Sequence, residues 1–110
     1  MNTNIQARDF SLTDALNVHI RDRINFQFAS CSDRIQCISI RLSDVNDSSG
    51  GDKYCKVTVT LPGLEEIVVE EVQADLYVAI SRAMDRASRT LHRRLERMRD
   101  SKKYGPKLRY

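Results

Sequence analysis

Cysteine is scarce in this 110-residue chain, which holds only Cys31, Cys37 and Cys55. An odd number without CxxC spacing suggests neither a disulfide framework nor a zinc site, so the thiols read as buried or idle. Long apolar runs are also missing. None approaches the roughly 20 residues that cross a bilayer, and MNTNIQARDF lacks the basic head and apolar centre of a signal peptide. A cytoplasmic protein without a membrane partner is expected.

The apparatus of catalysis is equally thin. Gly50-Gly51 lies outside any GxxxxGK[ST] frame and opens no helix, so it reads as a hairpin connection and not a phosphate cradle. His19 has no second histidine at i+4 and no accompanying cluster of ligands. Glu65, Glu66, Glu70 and Glu71 stand in adjacent pairs with no apolar pocket to raise a pKa, and charges of this kind commonly protect a sheet edge. No nucleophile is paired with a base. The expectation is a protein that is not an enzyme, with no cofactor, no metal and no small-molecule substrate.

What the chain does have is charge, unevenly placed. Hydrophobic residues at 41% and charged residues at 30% suit a globular protein, and the length suits a single domain. We assign residues 1–100 to that domain and 101–110, with Gly105-Pro106 and no apolar periodicity, to a basic flexible tail. Residues 73–110 hold 11 Lys and Arg against 4 Asp and Glu, a net of +7, while residues 1–72 hold 7 against 11, a net of −4. Such polarity orients a protein on a polyanion.

The positive end centres on one stretch. Leu76, Ile80, Ala83, Met84, Ala87, Leu91, Leu95 and Met98 recur at spacings of three and four, the pattern of an amphipathic helix, with Asp75 at its N-cap. On the opposite side Arg82, Arg86, Arg89, Arg93 and Arg97 form one stripe, interrupted only by Asp85 and Glu96. An ordinary solvated helix mixes both signs to gain i,i+4 pairs; a one-sided row is the footprint of phosphate binding. Tyr77, beside Leu76 and Ile80, reads as a core or boundary residue before a base-stacking one.

Before this helix, Asn2–Arg8 alternates weakly as a strand. Thr13 caps a first helix reaching about Ala29, with Leu16, Ile20, Ile24 and Phe28 at four-residue intervals and Leu12 packed just ahead of the cap. Its polar sides carry Arg21 and Arg23. Cys31–Arg34 breaks it. IQCISIRLS and YCKVTVTL then alternate as strands about a polar loop, Asp44–Lys53, and Pro62-Gly63 turns the chain into a strand over Glu65–Val72. The order β-α-β-β-β-α predicts a two-layer α+β fold, a four-stranded mostly antiparallel sheet with both helices on one face. If the first strand lies beside the second, their crossover should be right-handed.

Asp75-Leu76-Tyr77-Val78-Ala79-Ile80 resembles the D-[LM]-Y-x-A-I segment of the ribosome hibernation promoting factors and ribosome-associated inhibitors, the protein Y-like group once labelled sigma modulation proteins. Arg86, Arg89, Arg93 and Arg97 stand where its members carry Lys or Arg, and Leu16–Arg23 also matches, with His19 and Arg23 at familiar places. The resemblance covers roughly residues 4–99 and is to the short form. It implies a fold akin to a double-stranded RNA-binding domain and a noncatalytic role in translation regulation and the stress response. It further implies docking in the small-subunit channel where messenger and transfer RNA sit. Two departures are expected: the Asp44–Lys53 loop is longer than in familiar short members, and the resemblance to the short form implies no dimerisation domain of the kind the long members carry.

The reading that joins these strands is an rRNA-binding factor that inhibits translation or promotes hibernation. It engages the small ribosomal subunit through Arg82, Arg86, Arg89, Arg93 and Arg97, assisted by Arg21, Arg23, Lys102 and Lys103, and is a monomer off the ribosome. The alternatives are a general double-stranded RNA binder and a protein-interaction module using the acidic fourth strand and the helix faces.

Overall fold

The computed structural model describes residues 1–8, 11–45 and 52–104, with 100–104 described by backbone alone. The elements are β1 (Asn2–Ala7), α1 (Asp14–Phe28), a 3-10 turn (Ala29–Arg34), β2 (Cys37–Val45), β3 (Asp52–Thr60), β4 (Ile67–Gln73) and α2 (Leu76–Tyr104). The sheet order is β1-β2-β3-β4. β1 runs parallel to β2 across the α1 crossover, and the other two pairings are antiparallel. The expected α+β architecture is the one observed.

Alternation decides which side of each strand is buried. Ile38, Ile40 and Leu42 of β2 oppose Val59, Val57 and Cys55 of β3, and Val57 and Val59 in turn oppose Val69 and Ile67 of β4. All eight are buried and form one cluster with the apolar flanks of the helices. In α1 the buried set is Leu16, Ile20, Ile24 and Phe28, the four-residue series of the sequence. Thr13 Oγ1 accepts from the Leu16 N–H at 3.1 Å, satisfying one of the free amides of the first turn. Leu12 packs against the core ahead of it.

Between β3 and β4 the chain reverses on Leu61-Pro62-Gly63-Leu64, closed by the Leu64 N–H on the Leu61 carbonyl at 3.2 Å. Proline presets the second position of this turn, and Gly63 takes the third at φ 76°, a conformation that L side chains adopt only with strain. β4 then carries Ile67 and Val69 inward while Val68 and Val72 stand exposed. This resolves a register that the run Ile67-Val68-Val69 leaves open.

Two boundaries differ from the expected ones. β2 reaches Val45 and β3 starts at Asp52, so the loop taken as Asp44–Lys53 is narrower, and residues 46–51 lie outside the described set. The ladder continues because Asp44 and Lys53 face each other in register and form an ion pair across it. Likewise α2 continues to Tyr104, beyond the start assigned to the tail at residue 101. Nothing in Ser101–Tyr104 stops a helix. Residues 105–110, the rest of that tail, lie outside the described residues, as do the side chains of Lys102 and Lys103.

Burial along α2 sets a gradient that mutation can read. Ile80 is fully buried and Met98 is 38% exposed. Ile80→Ala should cost about 2–5 kcal/mol in denaturant unfolding, the range for a large-to-small change in a packed core, and Met98→Ala under about 1 kcal/mol. Equal losses would contradict this seating of the helix.

Candidate nucleic-acid interface

The seat of α2 determines where its arginines point. Asp75 Oδ1 accepts from the Tyr77 N–H at 2.8 Å and starts the helix. Ala79, Ile80, Ala83, Met84, Ala87 and Leu91 are then all fully buried. Three alanines in this flank let the helix axis lie close to the sheet, with Ile80, Met84 and Leu91 filling the space between. Arg82, Arg86, Arg89, Arg93 and Arg97 are exposed in consequence. The structure therefore brings all five predicted row residues to one outward side.

Their neighbours distinguish them. Arg86 Nη1 donates to Glu71 Oε2 at 2.7 Å and to the Glu70 carbonyl at 2.9 Å, tying the helix to the outer strand β4. The Gln73 amide and then Arg86 hold the Glu71 carboxyl below the usual carboxylate range, with the Arg82 charge adding to the effect. Arg94, off the row, reaches the Glu65 carbonyl. Arg93 Nε contacts the Arg89 carbonyl at 3.5 Å. Among the described residues, Arg82, Arg89, Arg93 and Arg97 have no carboxylate partner.

The seam between the helices explains the interruption at Asp85. Arg23 Nη2 stands 3.1 Å from Asp85 Oδ1, and the Gln27 amide donates to the same oxygen. Further along, Ser88 Oγ donates to the Gln27 carbonyl at 3.4 Å. At the other end the ring of His19 meets that of Tyr77 edge-on, centroids 4.8 Å apart. Tyr77 is thus a boundary residue, 43% exposed. Asp85 is held by α1 and also borders a groove beside Arg82, Arg86 and Arg89. Arg23, a predicted contact residue, is partly buried and holds this carboxylate, whereas Arg21 is exposed with Nε on Asn17 Oδ1 at 3.2 Å.

Tyr77, Ser81, Arg82, Arg86 and Arg89 line this groove of about 560 Å³, with the carboxylates of Glu71 and Asp85, each already paired to an arginine, at its edges. Its donors are guanidinium forks with a hydroxyl and a phenol beside them, a set suited to phosphate oxygens and to stacking on bases. Cys31 and Cys55 are buried and Cys37 half-buried, all three as free thiols. Burial pushes Cys55 up to about 12, with Glu71 adding to it. Among the described residues no helix is long and apolar enough to cross a membrane, and no three His, Cys, Asp or Glu side chains gather to hold a metal ion. The reading of the sequence passed over Arg8, Arg41 and Lys56. The phase of the strands could have found them, since Arg41 and Lys56 occupy outward positions of the two best-alternating segments.

Fold and site together define a small two-layer α+β domain that turns a row of arginines away from its sheet. Residues 3–99 match the model of the family described as sigma 54 modulation protein / S30EA ribosomal protein, and the chain belongs to that family. It is thereby a ribosome-associated modulation factor. Among solved structures it is similar to the Thermus thermophilus Protein Y N-terminal domain, with 28% identity over 84% of this chain and 98% of that one, at a TM-score of 0.70. A ribosomal subunit interface protein from Coxiella burnetii, 20% identical over 87% of this chain and 99% of that one, shares the fold at a TM-score of 0.75. No curated protein sequence matches.

The Arg86–Glu71 contact yields a pH prediction. Because the folded Glu71 carboxyl titrates below its unfolded value, its contribution is present above the ordinary carboxylate range. It is lost as pH falls through the depressed value. The arginine end is 53% exposed, so the contribution is about 0.5–1 kcal/mol. Glu71→Gln should lower stability at neutral pH by that amount and flatten the acid limb of a Tm-against-pH curve. A variant curve parallel to wild type down to low pH would exclude the contact from the acid response.

Proposed function

We propose that this protein binds small-subunit ribosomal RNA in the channel used by messenger and transfer RNA, and inhibits translation by occupying it. The observation that carries the reading is the set of four exposed arginines on α2, Arg82, Arg89, Arg93 and Arg97, without carboxylate partners among the described residues. Family membership and the likeness to a Protein Y domain support a ribosomal target for that row. Binding is noncatalytic on this reading. The helix supplies one guanidinium per turn, each able to hold two phosphate oxygens, and folded RNA supplies phosphates at fixed positions. The monomer is the acting form, in the cytoplasm, and hibernation of idle ribosomes follows from occupancy of the channel.

The paired arginines contribute differently. Arg86 and Arg23 spend part of their charge on Glu71 and Asp85 and serve chiefly to fix α2 against β4 and α1. Arg21, exposed on α1, adds to the attraction. Lys102 and Lys103 extend the same basic end.

Cosedimentation with small ribosomal subunits across a salt series tests the reading. Replacing Arg82, Arg89 and Arg93 by Gln should reduce the slope of log affinity against log salt by about two to three units, close to one per lost phosphate contact. Equal curves for variant and wild type would remove α2 as the binding element. Excess free duplex RNA should compete poorly with the subunits; strong competition would favour a general double-stranded RNA binder.

A further inference from the structure

The second face of the sheet carries neither helix. Its outward positions run in cross-strand rows, and one row spans all four strands: Gln6 beside Arg41, Arg41 beside Lys56, Lys56 beside Glu70. Arg8 follows in the same phase as Gln6, its backbone N–H donating to the Leu42 carbonyl at 2.8 Å. Arg8, Arg41 and Lys56 thereby converge with Gln6, Ser43 and Tyr54 on a concavity of about 360 Å³.

The charge of this row is not balanced from within. Among the described residues none of the three cations has a carboxylate at ion-pair distance. Glu70, the one acid in the row, accepts at Oε2 from the Tyr54 hydroxyl of the neighbouring row at 2.7 Å. Burial and this bond push the phenol up to about 12, so it remains a donor to Glu70. Like charges directly opposite one another destabilise an antiparallel pair, and opposite charges would have stabilised it. Glu70 opposes Lys56 in register, so the row's excess of positive charge falls on Arg41, and Arg8 adds to it.

We infer that this face is a second phosphate-binding surface, holding a separate segment of RNA backbone from the one held by α2. The inference rests on the RNA-binding reading of α2 given above. Charge complementarity selects the occupant: the concavity offers forks, an ammonium, an amide and a hydroxyl, all of them donors to phosphate oxygens. The exposed apolar side chains of this face, Val68 and Val72, lie on β4 outside the concavity. Leu42, the one aliphatic residue lining it, is 1% exposed. The two basic surfaces lie on opposite sides of the two-layer domain, so one RNA strand need not satisfy both.

The test uses the full chain carrying Arg8→Gln, Arg41→Gln and Lys56→Gln, beside the Arg82, Arg89 and Arg93 variant, sedimented with small ribosomal subunits and with extracted small-subunit RNA. The sheet variant should keep a Tm close to wild type, because it removes the like-charge Arg41/Lys56 pair together with the opposite-charge Lys56/Glu70 pair. On both probes it should bind about tenfold or more weakly at moderate salt, with about two to three units less salt slope. If it melts early, Lys56→Gln alone repeats the test at about one unit of slope. A sheet variant that overlays wild type while the α2 variant is weakened overturns this inference and leaves the α2 reading standing; two unchanged variants overturn both. Weakening on subunits but not on extracted RNA assigns the face to a ribosomal protein and also overturns it.

Discussion

Burial of one flank of α2 against the sheet is the constraint from which the rest follows. Ile80, Met84 and Leu91 are each wholly removed from water, worth about 1.5–3 kcal/mol apiece in apolar transfer. That seating fixes the rotation of the helix about its axis, and rotation is what selects the residues facing outward. Turning the helix by a quarter would bring Arg82 and Arg89 toward β4 and its carboxylates. The core therefore does more than stabilise the domain, since it aims the arginines.

Polar contacts lock the same orientation from both sides. On the β4 side Arg86 and Arg94 donate to the Glu70 and Glu65 carbonyls. Backbone acceptors on the outermost strand and in the approach to it are thus occupied by α2 side chains, which limits its use as a pairing edge. On the α1 side Asp85 takes Arg23 and Gln27. A carboxylate at this half-buried position would be costly alone. With α1 bringing a guanidinium and an amide to it, it becomes a clasp between helices. The cations nearest to acids are thereby structural, and those left over are the ones available to a ligand.

Much of this is legible in the residues. The four-residue series of α1, the strand alternation of Cys55-Val57-Val59 and the flank of α2 each report burial directly, because periodicity is produced by the geometry that buries them. Asp85 was not legible as a clasp, since its partners lie 58 and 62 residues earlier in the chain. The division of the row into tied and untied arginines was hidden for the same reason. Arg41 and Lys56 look like ordinary solvent-side residues of two separate strands. Only the register sets them side by side, and register is fixed by the whole sheet. Helix ends were misjudged where the residues permit helix without demanding it, as in Ser101–Tyr104.

The geometry of the row also constrains what it can grip. From Arg82 to Arg97 it spans about 22 Å and winds by about 60° around the helix, because steps of 4, 3, 4 and 4 run slightly ahead of 3.6 residues per turn. A flat anionic surface would meet only part of such a spiral at once. A curved or grooved one can follow it, and folded RNA presents phosphates on surfaces of that kind. Since neither α2 nor the sheet beneath it needs to move for its arginines to be reached, the cost of ordering long side chains falls mainly on those without partners. Arg86 is already held, and its carboxylate partner keeps the base of the groove rigid while Arg82 and Arg89 on either side make no ion pair among the described residues.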